Sequence, residues 1–305
     1  MTTMPGRPSE AELGAVVAFI AAQQARPDRR ITYVGTDATG ITAELGGLEP
    51  DWATTVRIVR ADGDIAGAVV VEWDDELGRS WILGPWVAGD GDAWAATADE
   101  LVDAALVQLP PEVTRHEMSG DVANHRLASL AAGRGWAATE PIHILVLDAG
   151  TVTTWPGAAD DRGAALRSPV DADLPAIAAL HDVEFPDTFA SARQLLDGAR
   201  DGSRVVLVAD GGRGEVVGYV AGEVHEDGEG FIDFVAVGPA GRGKGVGRQL
   251  VMAATRLLLD RSPLGQVGLT VQDHRLPARR LYGQLGFRSE GTVLAYRSWT
   301  APPTP

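Results

Sequence analysis

The run Phe231–Leu250, FIDFVAVGPAGRGKGVGRQL, passes from an apolar strand pattern straight into a glycine-rich turn that opens an amphipathic helix. Glycines at such a turn let the backbone approach a ligand closely, and the first N–H groups of the helix have no partner within it. The helix dipole adds positive character, so this end suits an anion such as a pyrophosphate. Arg242, Lys244 and Arg248 reinforce it in a chain whose formal net charge is −16. The segment therefore predicts a fold in which a strand end and a helix start share a phosphate site.

Three phosphate ligands fit a glycine-rich turn, and the spacing separates them. Gly238 through Lys244 matches G-x-x-x-x-G-K, but Gly245 follows where a P-loop needs Ser or Thr for magnesium. The flanking strands also read as antiparallel hairpins, which does not suit the parallel sheet of a nucleotide hydrolase. The dinucleotide pattern G-x-G-x-x-G fails at Val246, which stands where the third glycine belongs.

The third candidate is coenzyme A, and it rests on a resemblance. Arg242-Gly243-Lys244-Gly245-Val246-Gly247 follows the strand ending at Val237 and reads R-x-x-G-x-G. Downstream stand Leu269, Val271, Ala278, Leu281-Tyr282 and Gly286-Phe287 at the spacing of a second motif. Together these resemble the GNAT superfamily of N-acetyltransferases, with good coverage over 164–299. The resemblance implies acetyl-CoA as co-substrate, held by Val235, Ala236, Val237, Arg242, Gly243, Lys244, Gly245, Val246, Gly247 and Arg248. It implies that the strand at Phe231–Val237 splays from the one at Gln266–Val271, freeing backbone groups for the pantetheine arm. An N–H near Val235–Val237 would then polarise the thioester carbonyl.

Tyr282 stands where the family commonly places the acid that returns a proton to the departing thiolate, and a phenol can do this at neutral pH. The base is expected at Asp233, then at Glu223, with a merely solvated carboxylate as the alternative for each. Asp233 shares a face with Val235 if the strand is regular. His225 and Glu226, near the following turn, could act through water. Glu184, Phe185 and Phe189, after the first helix of this half, either hold a partly apolar amine or anchor the core. Arg275 replaces an Asn common in the family. It reads as a solvent-facing helix residue, with the CoA 3′-phosphate as the sharper alternative.

The order of elements occurs twice: helix, antiparallel strands, long helix, strand, short helix, strand. Asn124–Trp136 lines up without gaps on Arg275–Phe287. The expected organisation is α+β, with two tandem acetyltransferase-like domains, each a mixed, mostly antiparallel sheet flanked by helices. Residues 1–150 form the first, 151–163 a linker and 164–305 the catalytic domain. The first half has Ala88-Gly89-Asp90-Gly91-Asp92 in place of the cationic loop, and Ala131 where the second has Tyr282. It is expected to bind no CoA productively. Trp52, Trp73, Trp81, Trp86, Trp94 and Trp136 lie in this half and are expected in its core or seam. A tandem pair with a working C-terminal half also resembles mycothiol synthase, from which the missing loop departs.

Acidity argues against a general nucleic-acid binder. No apolar run reaches the ~20 residues of a membrane span, and the first residues lack a secretory pattern, so the expectation is a cytoplasmic monomer or homodimer. With no cysteine, disulfides and thiolate metal ligands are excluded. No metal is expected. The function expected is transfer of an acetyl group from acetyl-CoA to a primary amine, of a small molecule rather than a protein. A non-catalytic acyl-CoA sensor and a P-loop nucleotide hydrolase are the alternatives.

Overall fold

The structure, a computed structural model, describes residues 4–155, 164–186, 188–212 and 214–299. The described residues divide into two compact units, 4–142 with 291–299, and 143–290.

The first unit opens with a capping box. The Ser9 amide and hydroxyl both donate to Glu12, each at 2.7 Å, just ahead of α1 (Leu13–Gln24). Two further helices, α2 (Ala38–Gly46) and α3 (Trp52–Thr55), start at the aspartate caps Asp37 and Asp51. Then come β1 (Arg57–Ala61), β2 (Asp64–Asp74), β3 (Arg79–Val87), α4 (Gly91–Leu106), β4 (Arg115–Asp121), α5 (His125–Gly133) and β5 (Ala137–Ala138). β1 to β3 form an antiparallel meander and β3 pairs β4 in parallel. Trp86 and Trp94 are buried in this unit's core, and Trp52, Trp73 and Trp136 pack against it. Burying a large apolar side chain contributes roughly 1.5–3 kcal/mol. The core role of these rings is thus sufficient to explain them.

The second unit contains β6 (Ile142–Asp148), α6 (Ala149–Val152), β7 (Ala165–Arg167), α7 (Leu174–Glu184), α8 (Ala192–Asp201), β8 (Arg204–Asp210), β9 (Val216–Val224) and β10 (Gly230–Val237). It continues with α9 (Val246–Leu259), β11 (Gln266–Gln272) and α10 (Leu276–Leu285). β7 to β10 are antiparallel neighbours, β10 pairs β11 in parallel, and β6 lies beside β11. One face of this sheet packs on α9 and α10 through Ile232, Leu250, Leu269 and Tyr282. The other packs on α7 and α8 through Ile177, Leu195, Tyr219 and Phe234.

The terminal strands depart from sequence order. β6, expected to close the first half, lies in the second unit. The final strand β12 (Arg288–Arg297), expected to complete the second half, instead pairs β4 of the first unit through Val293–Arg297. In each unit a parallel strand presents an unpaired edge, and the edge is satisfied by the other half's last strand. The compact division thus falls between 142 and 143, ahead of the linker expected at 151–163. Residues 149–152, which overlap the start of that region, form α6, and 156–163 lie outside the described residues. Among the described residues no helix is long and apolar enough to cross a membrane.

Candidate active site

β10 and β11 run in parallel register through Gly230↔Val267, Phe231↔Gly268 and Ile232↔Leu269, and there the pairing stops. Both strands continue, to Val237 and Gln272. The edge of 233–237 that faces β11 is therefore outside the ladder, as the splay anticipated from the motif requires. The break has a local cause. On its other side, β10 pairs β9 with a register shift between Ile232 and Phe234, so Asp233 is an extra, bulged residue. A bulge bends its strand and resets which way side chains point. Beyond it, Val235 and Val237 pack toward α9 and α10, while Phe234 and Ala236 join the α7 and α8 face.

This corrects one expectation about the base. Asp233 does not share a face with Val235, because the strand between them is not regular. It lies on the α7 and α8 side, where Arg204 Nη1 donates to it at 3.0 Å. Arg204 Nη2 donates to Glu223 at 2.7 Å, from directly across β8 and β9. Asp233 is 4% exposed, and burial pushes its carboxyl up to about 7, opposed by Arg204. His225 stacks on Phe231 with ring centroids 4.8 Å apart, and burial pushes its imidazolium down. Glu223, His225 and Asp233 bring ligand atoms within 4.8 Å of one another. That is a donor set a cation could use, but the Arg204 guanidinium already supplies positive charge to both carboxylates.

The glycine-rich turn follows. Gly238 N donates to Val217 O at 2.9 Å and Gly241 N to Gly238 O at 2.9 Å, which folds the turn back on itself. Gly243 and Gly245 have φ of +74° and +80°, in the left-handed region that L side chains avoid. Gly245 caps α9 without a side-chain bond, and the first intrahelical bond runs from Gln249 N to Gly245 O. The amides of Val246, Gly247 and Arg248 thus face outward at the positive end of a 14-residue helix. A Cβ at Gly247 would lie 3.5 Å from Val237 and 3.8 Å from Leu281, so this residue lines the gap between β10 and α10.

Tyr282, on α10, is buried against Phe287 with ring centroids 5.8 Å apart. Burial pushes its phenol up to about 12, with Arg275 pulling the other way. A phenol so placed stays protonated at neutral pH and can donate.

On the opposite side, Phe185 and Phe189 flank Phe234, at 5.0 and 5.1 Å between centroids. His181 completes the group, at 4.9 Å from Phe234. Its Nε2 bonds the Ala190 carbonyl at 2.7 Å, so that nitrogen carries the proton, and Nδ1 accepts from the Tyr219 hydroxyl. Arg275 is not solvent-facing. It donates to the Glu184 carboxylate at 3.1 Å and to the Glu184 carbonyl at 2.6 Å, and its guanidinium lies over Phe185. Arg242 donates to the other Glu184 oxygen at 2.5 Å and to Val237 O at 3.0 Å. Asp187, within the same segment, lies outside the described residues. Arg204, Phe234 and His181 were not singled out from sequence. The arginine's strand position opposite Glu223 was the available signal.

The first unit repeats this plan with other residues at the loop and at the tyrosine position. β3 and β4 pair only as far as Ile82↔Met118, though β3 runs to Val87 and β4 to Asp121. Trp136 N donates to Ala131 O at 2.9 Å as Phe287 N donates to Tyr282 O at 3.0 Å, which places Ala131 where the second unit has its tyrosine. At the start of α4, Asp90 occupies the cap and is bonded by Arg126, which also donates to Gly89 O at 3.0 Å. The turn before this helix thus carries a carboxylate where the second unit has its cationic loop.

Two tandem units, each a mixed sheet flanked by helices and splayed at its parallel pair, define the GNAT acetyltransferase fold. Residues 174–287 match the family described as Acetyltransferase (GNAT), so the chain carries a GNAT acetyltransferase domain over those residues. A GCN5-related N-acetyltransferase from Sphaerobacter thermophilus superposes with a TM-score of 0.69 at 20% identity, covering 99% of this chain and 96% of that one. A tandem GNAT protein from the clavulanic acid biosynthesis pathway, in a structure without AcCoA, gives 0.64 at 16% identity, covering 99% and 100%. In sequence, a mycothiol acetyltransferase from Thermomonospora curvata is 36% identical over 85 residues, 28% of either chain. The matched segment therefore spans less than a third of that relative's length.

Proposed function

We propose that the second unit is an acyl-CoA-dependent N-acyltransferase, with acetyl-CoA as donor and a small-molecule primary amine as acceptor. The observation that carries this reading is the arrest of the β10–β11 ladder at Ile232↔Leu269 beside the bare amides of α9. An unpaired strand edge suits the amide-bearing pantetheine arm, and the helix start suits the pyrophosphate at its far end. Val235, Ala236 and Val237 would line the arm. Arg242 through Arg248 would hold the phosphates.

The acceptor amine attacks the thioester carbonyl carbon, and the C–S bond breaks. An amide of 235–237 stabilises the charge that develops on the carbonyl oxygen. The amine's proton passes to Asp233, whose carboxyl is placed near neutrality by burial. The thiolate takes a proton from Tyr282. Glu223, exchanging through Arg204, shares the charge with Asp233 and is the alternative base. Phe185 and Phe189 would receive the apolar part of the acceptor.

The test is acetyl-CoA turnover against a panel of primary amines, read as release of free thiol. The chain has no cysteine, so the thiol reagent meets no protein background. Amine-dependent release supports the reading. Saturable CoA binding with no release for any amine favours a sensor. A second reading of the acceptor rests on the likeness to mycothiol acetyltransferase. It predicts that a mycothiol-type amine outperforms the simple amines of the panel.

A further inference from the structure

Glu184 ends α7, on the side of the sheet opposite α9, yet its carboxylate reaches the phosphate loop. One oxygen accepts from Arg242 at 2.5 Å, and the other from Arg275 at 3.1 Å. Arg275 fixes this arrangement, since it also donates to the Glu184 carbonyl and, through Nε, to Gln272 Oε1 at 2.7 Å. Glu184 is 19% exposed while Arg242 is 60% exposed, so the carboxylate is the more enclosed partner and the loop arginine the one open to an incoming anion. Arg242 is also the first residue of the R-x-x-G-x-G loop.

We infer that Glu184 is an affinity-setting residue of the donor site: a built-in anion that occupies Arg242 until a donor phosphate displaces it. The inference rests on the reading of the loop as a pyrophosphate site. A guanidinium paired with a carboxylate satisfies the same fork geometry it would present to a phosphate, so the two anions exchange at one place. Displacement frees one Glu184 oxygen beside Phe185 while Arg275 keeps the backbone of residue 184 in position. The exchange therefore removes one of the two guanidinium partners of the Glu184 carboxylate when the donor is bound, and Arg275 remains as the other.

The experiment is calorimetric titration of CoA into wild type, Glu184→Gln, Arg242→Ala and the double variant. Glutamine keeps the Arg275 bond to the residue 184 carbonyl, and circular dichroism and melting confirm that each variant is folded. Glu184→Gln is expected to bind CoA about three- to tenfold more tightly, the scale of a partly exposed ion pair plus relief of repulsion. In the Arg242→Ala background the same substitution is expected to change affinity less than twofold. Equal or weaker binding by Glu184→Gln overturns the inference, as does an undiminished gain without Arg242. Failure of wild type itself to bind CoA is a different result, and it overturns the underlying reading of the loop.

Discussion

Arg204 and Asp233 are bonded at 3.0 Å from strands that are not neighbours, β8 and β10, with Glu223 of the strand between them taking the second arm of the same guanidinium. Burial raises the Asp233 carboxyl and the arginine lowers it, leaving it near 7. A base with that value works in its ionised form, so kcat/KM rises with pH through about 7. Arg204→Met removes the lowering influence and moves this limb to higher pH, whereas Asp233→Asn abolishes it. A limb unmoved by either change would assign it to another group.

The same carboxyl makes a statement about stability. Its folded value lies above the roughly 3.9 of an unfolded aspartate, so its favourable contribution is complete below about pH 4 and is lost as pH rises through 7. Asp233→Asn is accordingly expected to gain stability relative to wild type at pH 8 compared with pH 4, in paired denaturant titrations.

Tyr282→Phe removes only a hydroxyl from a buried ring. Donor affinity is expected to hold within about twofold while turnover falls about 10²- to 10⁴-fold, the range for loss of a general acid. Steady-state kinetics with an identified amine, beside CoA titration, separates the two effects. Unchanged turnover would make this a packing tyrosine.

Glu117, 3% exposed, accepts from Arg79 at 2.7 Å and from Arg297 at 2.6 Å, joining three strands of the first unit. Removing its charge takes a buried carboxylate from the reach of both arginines. Glu117→Gln is expected to cost about 3 kcal/mol of unfolding free energy while CoA affinity is retained. A loss of affinity at undiminished stability would give the first unit a direct part in donor binding.

Local chemistry was legible wherever residue type and spacing settle it. The Ser9–Glu12 capping box, the strand entering the glycine turn, and the match of Ala131 to Tyr282 all depend on contacts within a few residues. α8 carried a similar signal in Ser191 and Gln194, whose reciprocal bonds open it, but that box was not read as a helix start. Other features depend on pairing between distant segments. The bulge at Asp233 is a register shift against β9, and no side-chain pattern within β10 announces it. The placement of β6 and β12 is decided by pairing with distant strands, β11 and β4, and nothing within either strand announces it. Arg275 read as an exposed helix residue because its partner, Glu184, lies 91 positions away.

Acyl-CoA docking at the start of α9 is tested directly by one titration. Gly247→Asp places a carboxylate in the first helical turn, where the dipole favours it and the Cβ finds ordinary contacts, so folding is retained. It also sets negative charge among the amides assigned to the pyrophosphate. Wild type is predicted to bind acetyl-CoA at one site per chain, with the variant at least tenfold weaker and its melting temperature undiminished. Binding by the variant equal to that of wild type, or none by wild type, would contradict the assignment of this loop.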